Sequence, residues 1–297
     1  MEGLIGSALS PLGWLDPLFR LPFLTGLALA CALPALGALL MLREEWLAAL
    51  GLAHLAAASA LLGLAAGLPA VIGGTLGALG AGLAKSLLAA RGNAAYAFMI
   101  LIGWSSLMLI AANTALGDAL GHALMDGQLY FGGWVEFATS LMLACLCLAT
   151  LPWLGRRLLR ARFFPRFEQA NRLPAWRWHL GMDLLSASGV AVGTATLGLM
   201  GAFALVLVPA WLAFRLARGW RATLAVAIGM GVAAYLLAFW AALAFDQPFG
   251  PVLVAVLIAT GTLGLLPRID RRRPGDKEAR PSPASPPRIP PASAGRG

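Results

Sequence analysis

Charge is what this chain has least of. Asp, Glu, Lys and Arg make up 12% of its 297 residues, where a soluble domain carries roughly a quarter. Much of its surface therefore has no need of water. Catalytic signatures are missing as well. No Gly-x-x-x-x-Gly-Lys-Ser/Thr loop is present, so the chain does not bind ATP by that route. There is no His-Glu-x-x-His helix and no Gly-x-Ser-x-Gly elbow. The apolar runs lack paired carboxylates, which argues against a proton-coupled carrier and an intramembrane aspartyl protease. With three cysteines, Cys31, Cys145 and Cys147, neither a disulfide nor a thiolate metal site is expected. Cys145 and Cys147 are two apart and would point to different helix faces. Nothing in these residues asks for an enzyme or for a resident cofactor.

What is present is apolar sequence, 60% of all residues. Residues 22–42, 46–84, 92–117, 137–155, 184–214, 222–245 and 247–267 carry no charge. A membrane span needs about 20 such residues to cross a core of about 30 Å. Two runs are too long for one span. The run 46–84 should break at Gly67-Leu68-Pro69. The run 184–214, with Leu180 to Met182 before it, would make a helix of roughly 50 Å. It should divide between Gly193 and Gly201. The expected fold is an all-α, polytopic transmembrane bundle of eight or nine membrane segments.

The cations sort to one side. With the N-terminus outside, the inner connections hold Arg43, Lys85, Arg91, seven arginines from Arg156 to Arg177, Arg215, Arg218, Arg221 and the tail from Arg268. Arg20 is the exception. Asp16, Asp118, Asp126 and Asp246 fall outside. This is the positive-inside pattern, so the net charge of +9 reads as topology and contact with lipid, not as nucleic-acid binding. Residues 1–21 lack a basic start and include Glu2, Pro11, Asp16 and Pro17, so no cleavable signal is expected. Their apolar positions suggest a short amphipathic helix at the interface. Residues 22–267 form the expected membrane domain. Residues 268–297, rich in Pro, Arg, Ser and Ala, form an expected disordered, dispensable cytoplasmic tail.

Gly73, Gly74, Gly77, Gly80 and Gly82 give the third segment a small-residue face suited to close helix packing in lipid. Lys85, near that segment's inner end, can snorkel to the headgroups. His179 sits beside Arg177 and Trp178, ordinary for an interface. His54 is different: it lies mid-run among Leu52, Ala53, Leu55 and Ala56. An intramembrane imidazole either lines a pathway or is bonded to a neighbouring helix. Asp118 and His122 share one helical face at four-residue spacing. They could offer carboxylate and imidazole to a transition metal, or simply be solvated loop residues.

The run Leu197-Gly198-Leu199-Met200-Gly201-Ala202-Phe203-Ala204-Leu205-Val206-Leu207-Val208-Pro209-Ala210, the basic stretch Arg215 to Arg221, and Asp246-Gln247-Pro248-Phe249-Gly250-Pro251 carry a resemblance. Together they resemble the permease family of bacterial ATP-binding-cassette importers for zinc, manganese or iron. The likeness covers roughly residues 15–267. It implies the fold of vitamin B12-type importers, in the bacterial cytoplasmic (inner) membrane. It also implies a homodimer, an ABC ATPase subunit below, and a periplasmic or lipid-anchored metal-binding protein above. The family's ATPase-docking stretch matches Phe164-Pro165-Arg166-Phe167-Glu168-Gln169-Ala170-Asn171-Arg172-Leu173-Pro174. Both prolines keep their spacing, while Phe164 and Arg172 replace an Asp and a Gly. The resemblance thus assigns coupling to Phe164, Pro165, Phe167, Glu168 and Pro174. A basic loop resting on anionic lipid is the other reading of that stretch. In the family's second segment an Asp and a His lie one turn apart on the metal path. Here the histidine is His54 and the Asp has become Leu50. Gly117-Asp118-Ala119-Leu120-Gly121-His122-Ala123 echoes that motif elsewhere in the chain.

The expected function is therefore a permease for a divalent transition metal, zinc first. A secondary carrier would show inverted repeats and midplane charges, and neither is visible. A membrane enzyme would need a polar cluster. A divergent family member with different cargo is the third alternative, raised by Leu50.

Overall fold

The computed structural model describes residues 17–88, 92–114, 127–164, 171 and 175–265. They form nine α-helices and one short 3-10 turn, Leu129–Phe131. The helices are α1 (Pro17–Leu42), α2 (Ala48–Ala65), α3 (Ala70–Leu87), α4 (Asn93–Asn113), α5 (Trp134–Phe163), α6 (Ala175–Leu197), α7 (Leu199–Leu216), α8 (Trp220–Ala244) and α9 (Phe249–Leu265). Eight are long and apolar enough to cross a membrane, and α9 has 17 residues. The expected all-α bundle of eight or nine segments is what forms. The tail and residues 1–16 lie outside the described residues.

Both long runs break where glycine allows. α2 ends in a Schellman cap: Gly67 has φ +80°, and Leu68 N–H donates to Gly63 O at 2.8 Å. Gly198, at φ +82°, divides α6 from α7, and the chain doubles back so far that a Cβ on Gly193 would lie 3.2 Å from Ala202. Two caps of the same kind use residues that avoid this conformation. Glu44 (φ +60°) closes α1, with Glu45 N–H on Leu40 O at 3.1 Å. Asp246 (φ +51°) closes α8, with Gln247 N–H on Ala242 O at 2.9 Å. The Asp246–Pro251 motif is thus a helix stop followed directly by a helix start.

α1, α2 and α6 are mostly buried, and α4 turns most of its surface outward. α1 packs on α5, α7 and α8, while α2 packs on α3, α4 and α6. Pro34 cannot donate to Ala30 O, and α8 comes close at this point. A Cβ on Gly231 would meet that carbonyl at 2.9 Å. One end of the bundle is closed by Phe19, Phe23, Tyr130, Tyr235, Phe239 and Phe249, whose rings stack edge-on or tilted. The Tyr235 hydroxyl donates to Phe23 O at 2.9 Å. The opposite end carries the charge.

The glycine face of α3 serves packing, as its spacing suggested. A Cβ on Gly73 would lie 2.9 Å from Ser59 O, and one on Gly74 3.0 Å from Ala56 O, whereas Gly80 has nothing within 4 Å. Gly74→Leu should wedge α2 from α3 and cost about 2 kcal/mol, while Gly80→Leu should be tolerated. Thermal unfolding of the purified variants in detergent checks the contrast; equal melting points would refute it.

Candidate functional site

His54 lies two turns into α2, where α4 presses on its backbone. A Cβ on Gly103 would come within 2.5 Å of the His54 carbonyl carbon, so glycine is what permits that approach. The side chain is only 7% exposed. Its Nδ1 is 2.9 Å from Leu50 O. A carbonyl oxygen can only accept, so Nδ1 carries the hydrogen. In the neutral ring this leaves the lone pair on Nε2. Metal-binding histidines are commonly held this way, one nitrogen tied to a carbonyl and the other free to coordinate.

His54 lines a cavity of about 470 Å³. α2 and α4 supply His54, Trp104 and Leu107. The first turns of α7 and α9 supply Leu199, Met200, Gly250 and Pro251, and α9 adds Val254, Ala255 and Ile258. Two of the three stretches that carry the family resemblance, Leu197–Ala210 and Asp246–Pro251, therefore meet at one site. Trp104, Met200 and Ile258 are each about half exposed, so the cavity opens on the surface of the single chain. Among the described residues its lining offers one imidazole and one thioether, and no carboxylate. Such a site can hold a cation weakly and let it go, as a conduction path requires.

Of the other expected ligands, Asp118 and His122 lie outside the described residues. So do Pro165, Phe167, Glu168 and Pro174 of the expected coupling stretch. Phe164 is described: it caps α5, donating its N–H to Arg160 O at 2.8 Å, and its ring is exposed. Among the described residues no group of three or more His, Cys, Asp or Glu could hold a metal. Cys145 is exposed and Cys147 buried, on different faces as their spacing implies. His179 stacks on Trp178 at 3.7 Å.

The expectation for Lys85 needs correction. It does not snorkel; it is 4% exposed and sits in a closed ring of four charges. Lys85 Nζ meets Glu45 Oε2 at 3.2 Å and Asp183 Oδ1 at 3.1 Å. The Arg43 guanidinium meets the same two carboxylates, at 2.9 Å for Glu45 and 2.8 Å for Asp183. Tyr96 OH donates to Glu45 Oε2 at 3.1 Å, and its ring lies 4.8 Å from Lys85 Nζ. Burial alone would lower the Arg43 pKa, but Asp183 and Glu45 outweigh it and hold the pKa above the ordinary arginine value. Two cations and two anions cancel, which lets the set survive away from water. Sequence reading missed the ring because its members lie far apart and each resembles a topology charge at a segment end.

The family model described as "ABC 3 transport family" matches residues 16–266. The chain belongs to the ABC 3 transport family. It is a multi-pass membrane protein and a transport subunit, in agreement with the resemblance carried by Leu197–Pro251. Among solved structures, PsaBC from Streptococcus pneumoniae in complex with Fab superposes with a TM-score of 0.73 at 15% identity, covering 89% of this chain and 95% of that one. A protein assigned as a metal-chelate type ABC transporter, in an inward-facing conformation, superposes with a TM-score of 0.70 at 17% identity, covering 83% and 85%. At these identities the likeness is one of fold. No curated protein sequence matches the chain.

Proposed function

We propose that this ABC 3 family member is the membrane permease of an ATP-driven importer for a divalent transition metal, zinc ahead of manganese or iron. The observation that carries the reading is His54, its Nδ1–H tied to Leu50 O, at a cavity walled by both family motifs. The half-exposed mouth of that cavity suits a second copy of the chain across a two-fold axis, closing the path between two protomers. An ABC ATPase subunit would dock at the charged end of the bundle, and a metal-binding protein would deliver cargo at the aromatic end.

The charged end then faces the cytoplasm of a bacterial inner membrane, by the sorting of arginines. Cysteines introduced at positions 118 and 246 should react with an impermeant reagent in intact cells, and one at position 160 should not. The reverse pattern would refute the orientation.

For the function itself, the chain should co-purify with a separate ATPase and take up radiolabelled zinc, manganese or iron in proteoliposomes. Phe167→Ala with Glu168→Ala should leave hydrolysis but lose uptake. Wild-type assembly and transport in that variant would remove the docking assignment. A second reading keeps the family and changes the cargo. Its support is Leu50, which stands where the resemblance has an Asp, and the mostly apolar cavity lining, which would also accommodate a metal enclosed in an organic chelate. Faster uptake of chelated than of free metal would decide for it.

A further inference from the structure

The α1–α2 turn, Arg43-Glu44-Glu45, is held by four different helices. Arg43 binds Asp183 of α6, and Glu45 binds Lys85 of α3 and Tyr96 of α4. Between them Glu44 binds Arg162 of α5. α5 and α6 are the two helices that flank residues 165–174. On its other side the turn leads straight into α2, which carries His54. Tyr96 extends the connection: besides binding Glu45, its carbonyl lies 2.8 Å from where a Cβ on Gly51 would be, one turn before His54. Further along α4, Gly103 abuts the His54 backbone. An unbroken set of contacts thus runs from both flanking helices to the transport histidine.

Two features show that the turn is not kept for stability alone. Glu44 holds a left-handed conformation that glycine would adopt without strain. Its side chain makes an exposed ion pair, a kind that adds little to folding. A buried ring of four charges is likewise no more stabilising than well-packed apolar side chains of the same volume. What both supply is directional attachment: fixed partners on helices that must keep register when one of them moves.

We propose that Arg43, Glu44, Glu45, Lys85 and Asp183 are positioning residues that transmit displacement of α5 and α6 to α2, so that ATP hydrolysis is converted into movement of His54. The inference rests on the permease reading above. No residue of the set lines the His54 cavity.

The test uses the full-length chain co-expressed with its ATPase subunit and reconstituted in proteoliposomes. ATP hydrolysis and uptake of radiolabelled zinc are read on the same preparation. Lys85→Met with Asp183→Asn keeps the ring neutral and retains the Arg43–Glu45 pair. Glu44→Gly removes the Arg162 contact and relieves the backbone. Each variant should assemble like wild type and keep most of its thermal stability. Uptake per ATP hydrolysed should fall about tenfold, a typical size for coupling between sites. An unchanged ratio in both variants overturns the proposal. So does a parallel loss of assembly, hydrolysis and uptake, which would make the ring a staple only. If the wild-type chain assembles with no ATPase and moves none of the three metals, the permease reading fails instead.

Discussion

His54→Ala is expected to abolish metal uptake while leaving the bundle folded. Removing an outer partner of a metal ligand already costs 10–100-fold in affinity or activity, so removing the ligand itself should reduce uptake by at least about a hundredfold. The fold should survive. Gly103 rests on the His54 backbone and not on its ring, and the imidazole's hydrogen bond is to its own helix. Leu50→Asp provides the opposite perturbation. It keeps the Leu50 carbonyl that orients His54 and adds a carboxylate one turn away. Opposite charges about 4 Å apart attract by about 4 kcal/mol at an effective dielectric of 20. Purified Leu50→Asp protein should therefore retain more metal after dialysis than wild type. Normal uptake by His54→Ala, with unchanged metal content in Leu50→Asp, would reduce His54 to a helix-packing residue.

The membrane-spanning architecture was legible because lipid imposes one rule on every segment: about twenty residues without charge, closed on their own hydrogen bonds. Each charge-free run became a helix, and both overlong runs broke at the glycines at Gly67 and Gly198. The small residues of α3 could be read as packing for the same reason, since spacing along one helix defines its face. His54 stood out by cost, one polar ring in an apolar run. Its partner did not, because the oxygen it binds belongs to the backbone of Leu50, and a backbone acceptor leaves no mark on residue identity. Met200 was equally hidden inside a motif noticed for its glycine and proline. The charge ring was the least visible part. Arg43, Lys85 and Asp183 come from three segments, each at the edge of an apolar run where a lone charge ordinarily faces water. Only folding shows that they face one another.

That hidden ring leads to the second large effect. Lys85→Met should destabilise the protein by about 3–5 kcal/mol, the usual result of breaking a buried ion pair from one side. With Lys85 gone, Glu45 and Asp183 share the single cation Arg43, and one buried negative charge goes uncompensated. Tyr96 cannot offset it, because its hydroxyl contributes one hydrogen bond to Glu45 and no charge. Adding Asp183→Asn restores neutrality, and the double variant should recover most of the lost stability. The recovery separates charge from packing. Were the loss due to the shape of Lys85, Asp183→Asn would deepen it, since the amide keeps the size of the carboxylate but weakens its hold on Arg43. Thermal unfolding in detergent of the wild type, both single variants and the double variant measures the coupling directly. Additive losses would mean that Lys85 and Asp183 act independently, and that the four charges are neighbours without being a ring.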